Sequence, residues 1–253
     1  MSEHKARGHH WLAFDTSTDV LSLAVARGEQ IWTQTLPGGP QASSGLIPAV
    51  MAMLGEAGLT LAELDAIVLG RGPGSFTGLR TACAVAQGLA FGVNVPVLPV
   101  DTLLAVAEEA RYQRMQAGHA DADVTVLALL DARMDEVYSA AYQWQWSNQR
   151  WAVASDCRVG APEALVWSGG TVLLAGNVFE AYGPRLNLDG ERYKALPTAQ
   201  ALLRLAPSLW AQGLAVPADQ AIPLYIRDKV ANTTAEREAM KTQAVDAKAA
   251  AQA

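Results

Sequence analysis

Along the chain, the spacing of apolar positions changes between that of strands and that of helices. Residues 11–15 form an apolar run, and 20–26 and 30–36 alternate, with Arg27-Gly28-Glu29 as a tight turn between the last two. This predicts three antiparallel strands. Leu46, Ile47, Val50, Met51 and Leu54 then recur at helical spacing, with Ser43 or Ser44 placed to cap the helix and Gly55 and Gly58 loosening its end. A buried strand over 66–69 runs into the segment Gly70 to Gly78. A helix over 79–91, a strand over 95–100 and a helix over 101–115 follow. The predicted order is β-β-β-α-β-α-β-α.

The second half begins the same way, with strands over 124–130, 136–144 and 151–159 and a polar turn at Ser147-Asn148-Gln149. Letters repeat as well as pattern: Asp15-Thr-Ser-Thr-Asp-Val resembles Asp131-Ala-Arg-Met-Asp-Glu-Val, each placing an aspartate where a first strand meets its turn. This predicts an internal duplication. Past Pro162 the half shortens to a strand over 171–175, a short helix over 177–182, and a helix over 199–211 interrupted or bent at Pro207. Residues 1–10 read as a disordered polar leader. Residues 231–253, with nine alanines and only Met240 and Val245 as larger hydrophobes, read as a disordered or frayed tail. The expectation is an α/β chain with one domain over 11–103 and a second over 104–230, whose last segments pack back on the first.

Composition narrows the chemistry. With 253 residues, 51% hydrophobic and 17% charged, the chain is globular, and no apolar run approaches the roughly 20 residues that span a bilayer. A cytoplasmic location is expected. Cys83 and Cys157 are too few for a disulfide scaffold and read as buried thiols. The net charge of −6 argues against direct grip on nucleic acid phosphates. Of four histidines only His119 lies outside the leader, which disfavours a histidine metal site or a Ser-His-Asp triad.

Two segments invite a ligand. Gly70-Arg-Gly-Pro-Gly-Ser-Phe-Thr-Gly78 leaves a strand and enters a helix, as a phosphate loop does, yet it has neither the Walker ending nor the Rossmann spacing. Local physics slightly favours a structural turn that seats Phe76. Asp15-Thr-Ser-Thr could hold hydrated Mg²⁺ and phosphate, and is explained equally well by side chains bonding their own turn. The matching turn decides more: Arg133 and Met134 are bulky where a phosphate needs small residues. The helix after the glycine segment is rich in small side chains and, with the preceding helix, offers a helix-pair docking surface or plain core.

Together, Asp15-Thr-Ser-Thr, Gly70-Arg-Gly-Pro-Gly-Ser-Phe-Thr-Gly-Leu-Arg80, Val100-Asp-Thr-Leu, Leu130-Asp-Ala-Arg-Met-Asp-Glu-Val-Tyr138 and Pro223-Leu-Tyr-Ile-Arg227 resemble the YeaZ (TsaB) family of tRNA threonylcarbamoyladenosine biosynthesis proteins over about 11–230. The resemblance implies the actin, Hsp70 and sugar-kinase fold, in two duplicated halves, each a mixed sheet with flanking helices. It implies a subunit without activity of its own that pairs with TsaD and is joined by the ATPase TsaE. TsaD transfers threonylcarbamoyl to adenosine 37 of tRNAs reading ANN codons. ATP and metal are then expected on the partner subunits and none on this chain alone, with tRNA reached only through the complex, and no membrane partner.

The pairing role carries onto Leu46, Ile47, Val50 and Leu54 and onto Cys83, Ala86 and Ala90, with a homodimer expected through the same faces when the partner is absent. The family's loop motif falls on Gly72, Pro73, Gly74, Ser75, Phe76, Thr77, Gly78 and Arg80. Where the family often has His-Ser ahead of the first helix, this chain has Gln41-Ala42-Ser43-Ser44. The rivals are a small-molecule kinase or ATP-binding protein of the same superfamily, a peptidase, and a self-contained binding module.

Overall fold

The structure, a computed structural model, describes residues 8–227. It consists of two five-stranded mixed sheets that repeat one topology. In the first half, β1 (His10–Asp15), β2 (Val20–Arg27) and β3 (Gln30–Pro37) form an antiparallel meander. Helix α1 (Ala42–Glu56), strand β4 (Ala66–Gly72), helix α2 (Phe76–Val93), strand β5 (Val97–Asp101) and helix α3 (Thr102–Gln116) follow. The sheet order is β3-β2-β1-β4-β5, with β4 and β5 parallel to β1.

The second half repeats the meander as β6 (Val124–Arg133), β7 (Glu136–Gln145) and β8 (Arg150–Gly160), then adds β9 (Leu173–Gly176), α4 (Phe179–Tyr182), β10 (Glu191–Lys194) and α5 (Ala199–Ala211). Its order, β8-β7-β6-β9-β10, matches the first position by position. This is the duplicated actin, Hsp70 and sugar-kinase-like fold anticipated above. The counterpart of α1 is a loop, and the counterpart of α2 has shrunk to the four residues of α4.

The first strands are buried on both faces because helices cover both. On one side α1 and α2 bring Leu46, Val50, Leu54, Ala82, Cys83 and Ala86 against Leu12, Phe14, Leu21 and Leu23. On the other, α5 brings Leu202, Leu205 and Ala206 against Trp11, Ala13 and Val68. Thus the last helix of the second half covers the first sheet, while Val106 and Ala110 of α3 cover the second sheet beside Val126, Ala128 and Leu130. Where α3 and α5 meet, Glu108 is buried. Its carboxylate accepts from Arg204 Nε at 2.9 Å, Arg111 Nε at 3.0 Å and Trp151 Nε1 of β8 at 3.0 Å.

Several sequence boundaries move. His10 belongs to β1 rather than to a leader: its main-chain N–H donates to Asp65 Oδ2 at 2.7 Å and its ring lies 3.1 Å from the Glu63 carbonyl oxygen. α2 starts three residues early, because Ser75 Oγ accepts from Gly78 N and caps it, and it ends at Asn94, whose φ of 55° is left-handed. α1 starts at Ala42, before either nominated serine; Ser44 Oγ instead donates to the Gln41 carbonyl oxygen at 3.1 Å. α5 runs unbroken through Pro207. β10 was not anticipated, since its four polar residues carry no apolar alternation. The expectations for the tail, and for the leader over 1–7, lie outside the described residues.

Candidate functional site

The two aspartates that mark the repeat sit in the same local geometry. Asp15 Oδ1 accepts from the N–H of Ser17, two residues on, at 2.8 Å; Asp131 Oδ1 accepts from the N–H of Arg133 at the same distance. Asp15 is the last residue of β1 and Asp131 lies two residues before the end of β6, and each holds the turn that follows. These turns face each other across a cleft of about 760 Å³ between the halves, which is also lined by the glycine segment, Asn177 and the segment Leu224 to Arg227.

The first turn is locked to the glycine segment. Thr16 Oγ1 donates to the Gly78 carbonyl at 2.7 Å, and Ser75 N donates to the Ser17 carbonyl at 2.7 Å. The two segments are so close that a Cβ at Gly78 would strike the Thr16 carbonyl oxygen, and one at Gly70 would strike Asp15 Oδ2. The glycines therefore admit protein backbone and side chain rather than phosphate. Asp15 is fully buried. Ser17 Oγ also donates to its Oδ1 at 2.6 Å, and Thr102 Oγ1 lies 3.5 Å from Oδ2. Burial pushes its carboxyl up to about 6, although the bonds from Ser17 and Thr102 favour the charged form. A carboxylate enclosed in this way fits poorly as a ligand for hydrated Mg²⁺.

The second turn closes toward the first. Arg133, Met134 and Asp135 are all left-handed, with φ of 59°, 56° and 62°. This conformation sends the Arg133 guanidinium across the cleft to Asp19 Oδ2 at 2.5 Å, while its other nitrogen stays 3.2 Å from Asp131 Oδ2. The position at which a phosphate-binding relative would need open backbone thus carries an interlobe ion pair.

Over the mouth of the cleft runs the segment Leu224 to Arg227. Leu224 N donates to the Arg71 carbonyl at 2.8 Å, and the Tyr225 hydroxyl accepts from Arg80 Nε at 2.9 Å. The Arg80 guanidinium lies 3.9 Å from the centre of the Phe76 ring. Arg227 ends the segment on the second half, paired with Glu136. Phe76 is therefore seated by the turn as the sequence suggested, with Tyr225 and Arg80 as its neighbours. Of the loop motif, Gly72, Pro73 and Gly78 are buried, Gly74 packs on Ser17, Ser75 caps α2, and Thr77 and Arg80 are exposed.

The helix pair corrects the residue choice made from sequence. Leu46, Val50, Leu54, Cys83, Ala86 and Ala90 are all buried in the core of their own half; among the nominated seven only Ile47, 46% exposed, faces outward. The reason is general: the most regular apolar stripe of an amphipathic helix is the one its own sheet takes up. A second face remains on the outside. It comprises Ile47 and Met51 of α1 with Ala84, Gly88 and Phe91 of α2, Met51 being 50% and Phe91 83% exposed. Sequence reasoning reached this face only at Ile47, though a further signal existed: from Ala42 to Gly55 there is not one charged residue, so the solvent side of α1 is uncharged up to its last residue, Glu56.

The alternatives find little support in the geometry. Among the described residues no group of three or more His, Cys, Asp or Glu side chains is placed to hold a metal, and His119 lies exposed beyond α3. Among the described residues no helix is long and apolar enough to cross a membrane.

Comparison with known proteins agrees with the motifs. The family model described as TsaD, tRNA N6-adenosine threonylcarbamoyltransferase, matches residues 40–235. The tRNA threonylcarbamoyladenosine biosynthesis protein TsaB of Haemophilus influenzae is 34% identical over 230 residues, covering 87% of this chain and 94% of that protein. TsaB of Escherichia coli is 33% identical over 230 residues, covering 87% and 95%. The solved structure of YeaZ from Pseudomonas aeruginosa superposes with a TM-score of 0.76 at 37% identity, covering 86% of this chain and 99% of that one. With the duplicated fold, the paired aspartate turns and near full-length coverage all agreeing, the chain belongs to the TsaB (YeaZ) family of tRNA threonylcarbamoyladenosine biosynthesis proteins.

Proposed function

We propose that this chain is a subunit without catalytic machinery of its own in the assembly that makes threonylcarbamoyladenosine in tRNA. It docks on TsaD, which transfers the threonylcarbamoyl group to adenosine 37 of tRNAs reading ANN codons, and TsaE joins the same assembly. The observation that carries this reading is the Arg133–Asp19 ion pair, which spans the two turns that a phosphate-handling relative would keep open. ATP and metal then belong to the partners, and tRNA is reached through them, in keeping with a net charge of −6. The work is cytoplasmic, where tRNA is modified.

The docking face is the outer patch of α1 and α2 made by Ile47, Met51, Ala84, Gly88 and Phe91, none of them charged. Ala84 and Gly88 leave room for a helix to approach closely, flanked by Met51 and Phe91 as apolar anchors. When TsaD is absent the same face pairs two copies of the chain.

The test is threonylcarbamoyl transfer to tRNA by purified TsaD, TsaE and the threonylcarbamoyl-adenylate synthase, with and without this chain, beside calorimetric titration of ATP into the chain alone. The expected result is transfer that requires the chain and no heat from ATP. Unaffected transfer together with tight ATP binding would move the kinase or ATP-binding reading to the front.

A further inference from the structure

The second half holds a separate recess of about 390 Å³, near the lower end of small-molecule pockets. It forms where two parallel strands part. β6 pairs with β7 from Val124 onward, but its first pair with β9 is Val126 with Leu173. Val124 and Thr125 on one side and Thr171 and Val172 on the other therefore frame a gap. Arg114, in the last turn of α3, lines the same gap.

Arg114 has no partner to match its burial. Its side chain is only 27% exposed, and its Nε is buried without a hydrogen-bond partner. Glu191 Oε2 stands 4.0 Å from that nitrogen, beyond hydrogen-bond reach, and Glu191 is engaged with the Tyr193 hydroxyl instead. Among the described residues none accepts a hydrogen bond from the Arg114 guanidinium. By contrast Arg111 and Arg204, also part-buried, donate to carboxylates at 2.6 to 3.1 Å. A part-buried guanidinium without an acceptor is costly, and a ligand that supplies one accounts for its position.

Asp123 lines the recess as well. Its Oδ1 accepts from Trp146 N at 2.7 Å, and among the described residues it has no ion pair. One recess thus carries a cation and an anion that are not paired with each other.

We propose that this recess binds a free neutral α-amino acid, its carboxylate on the Arg114 guanidinium and its ammonium on Asp123. Charge selects the zwitterion. A guanidinium alone would take phosphate as readily as carboxylate, but Asp123 within the recess and Glu191 beside Arg114 repel a dianion. An α-amino acid brings one charge of each sign, whereas a peptide holds its two charged termini far apart. Thr125, Gln143 and Thr171 add hydrogen-bonding groups around the two charges, and Val124, Val172 and Leu173 give the ligand's side chain an apolar wall. The recess lies in the second half, so the inference does not rest on docking to TsaD through α1 and α2.

The test is amide chemical-shift titration of the full chain by NMR with valine, threonine and leucine. The N-acetyl and amide derivatives of whichever binds, and inorganic phosphate, are titrated beside them. Arg114→Gln and Asp123→Asn are the variants, with urea unfolding to confirm that each is folded. Asp123→Asn keeps the Oδ1 acceptor for Trp146 N and removes only the charge. The expected result is a set of shifts at residues 122–125 and 171–173 that saturates with a Kd of about 1 mM or tighter. Blocking either end of the ligand, or making either variant, should weaken binding at least about tenfold. No shift at these residues with any of the three amino acids at about 10 mM would overturn the proposal. So would blocked derivatives that bind as well as the parent, unchanged affinity in either folded variant, or phosphate that binds as tightly and depends on Arg114.

Discussion

Arg133 reaches across the interlobe cleft to Asp19 at 2.5 Å, joining the turn of the second half to the matching turn of the first. The two side chains are 67% and 80% exposed, so the pair adds little to global stability; its effect is on where the second turn rests. Asp19→Ala is expected to cost less than about 1 kcal/mol in urea unfolding while the amides of residues 133–136 exchange faster with solvent. Unchanged exchange at the turn would show that the left-handed run from Arg133 to Asp135 holds itself.

Gly78 is a packing requirement. Its missing Cβ is the room occupied by the Thr16 carbonyl, and the strand-turn backbone of residues 15–17 has nowhere to retreat, since it is bonded to Gly78 and Ser75. Gly78→Ala is therefore expected to destabilise by about 2 kcal/mol despite the better helix propensity of alanine. A neutral or stabilising outcome in urea unfolding would mean that the turn can move away.

Asp15 makes a pH prediction with a definite sign. Its carboxyl is raised from 3.8 to about 6, chiefly by burial, so between those values the folded chain keeps a proton that the unfolded chain has released. Stability from this group is thus highest below about pH 4, falls as pH rises to about 6, and is constant above, a swing on the order of 3 kcal/mol. Subtracting the stability profile of Asp15→Asn from that of the natural chain isolates the term. A difference that stays flat across the window would sink it.

Most of the architecture was legible because it rests on periodicity. The meanders show as alternating runs, and the Asp15 and Asp131 turns betray the duplication in letters as well as in structure. β10 was illegible because four polar residues pairing beside β9 carry no pattern of their own. The docking residues misled for the opposite reason. Leu46, Val50 and Leu54 have the clearest helical spacing because they serve the core, whereas the outer side of α1 announces itself only by lacking charge. The glycine segment was read correctly as a seat for Phe76, but the partners of that seat, Tyr225 and Arg80, are 145 residues apart and no local signal joins them.

That distinction between inner and outer faces can be measured. Met51→Asp and Phe91→Asp alter exposed positions and are expected to leave unfolding within about 0.5 kcal/mol of the natural chain. Each should weaken binding to TsaD at least about tenfold by placing a charge in the centre of the contact. Val50→Asp, by contrast, buries a charge without a partner and should unfold the first half. Binding isotherms for the two outer variants that overlay the natural one would remove α1 and α2 as the docking face.

Glu108 supplies the last prediction, because one carboxylate ties together elements from both halves. It sits on α3, accepts from Arg204 of α5, which covers the first sheet, and from Trp151 of β8 in the second, while Arg111 bonds both it and Asp121. Glu108→Gln keeps the shape but gives an amide that cannot accept on its nitrogen side, and it leaves Arg111 and Arg204 with only Asp121 and Glu109 as counter-charges around a buried carboxyl position. The expected loss is about 3 kcal/mol or more, far above that for Asp19→Ala. Because the site is shielded from solvent, added salt should shift the Glu108 loss little, whereas the small Asp19 effect should shrink as salt screens it. A Glu108→Gln loss below about 1 kcal/mol, or one that salt erases, would mean that this carboxylate does not tie α3, α5 and β8 together and that their apolar contacts carry the junction.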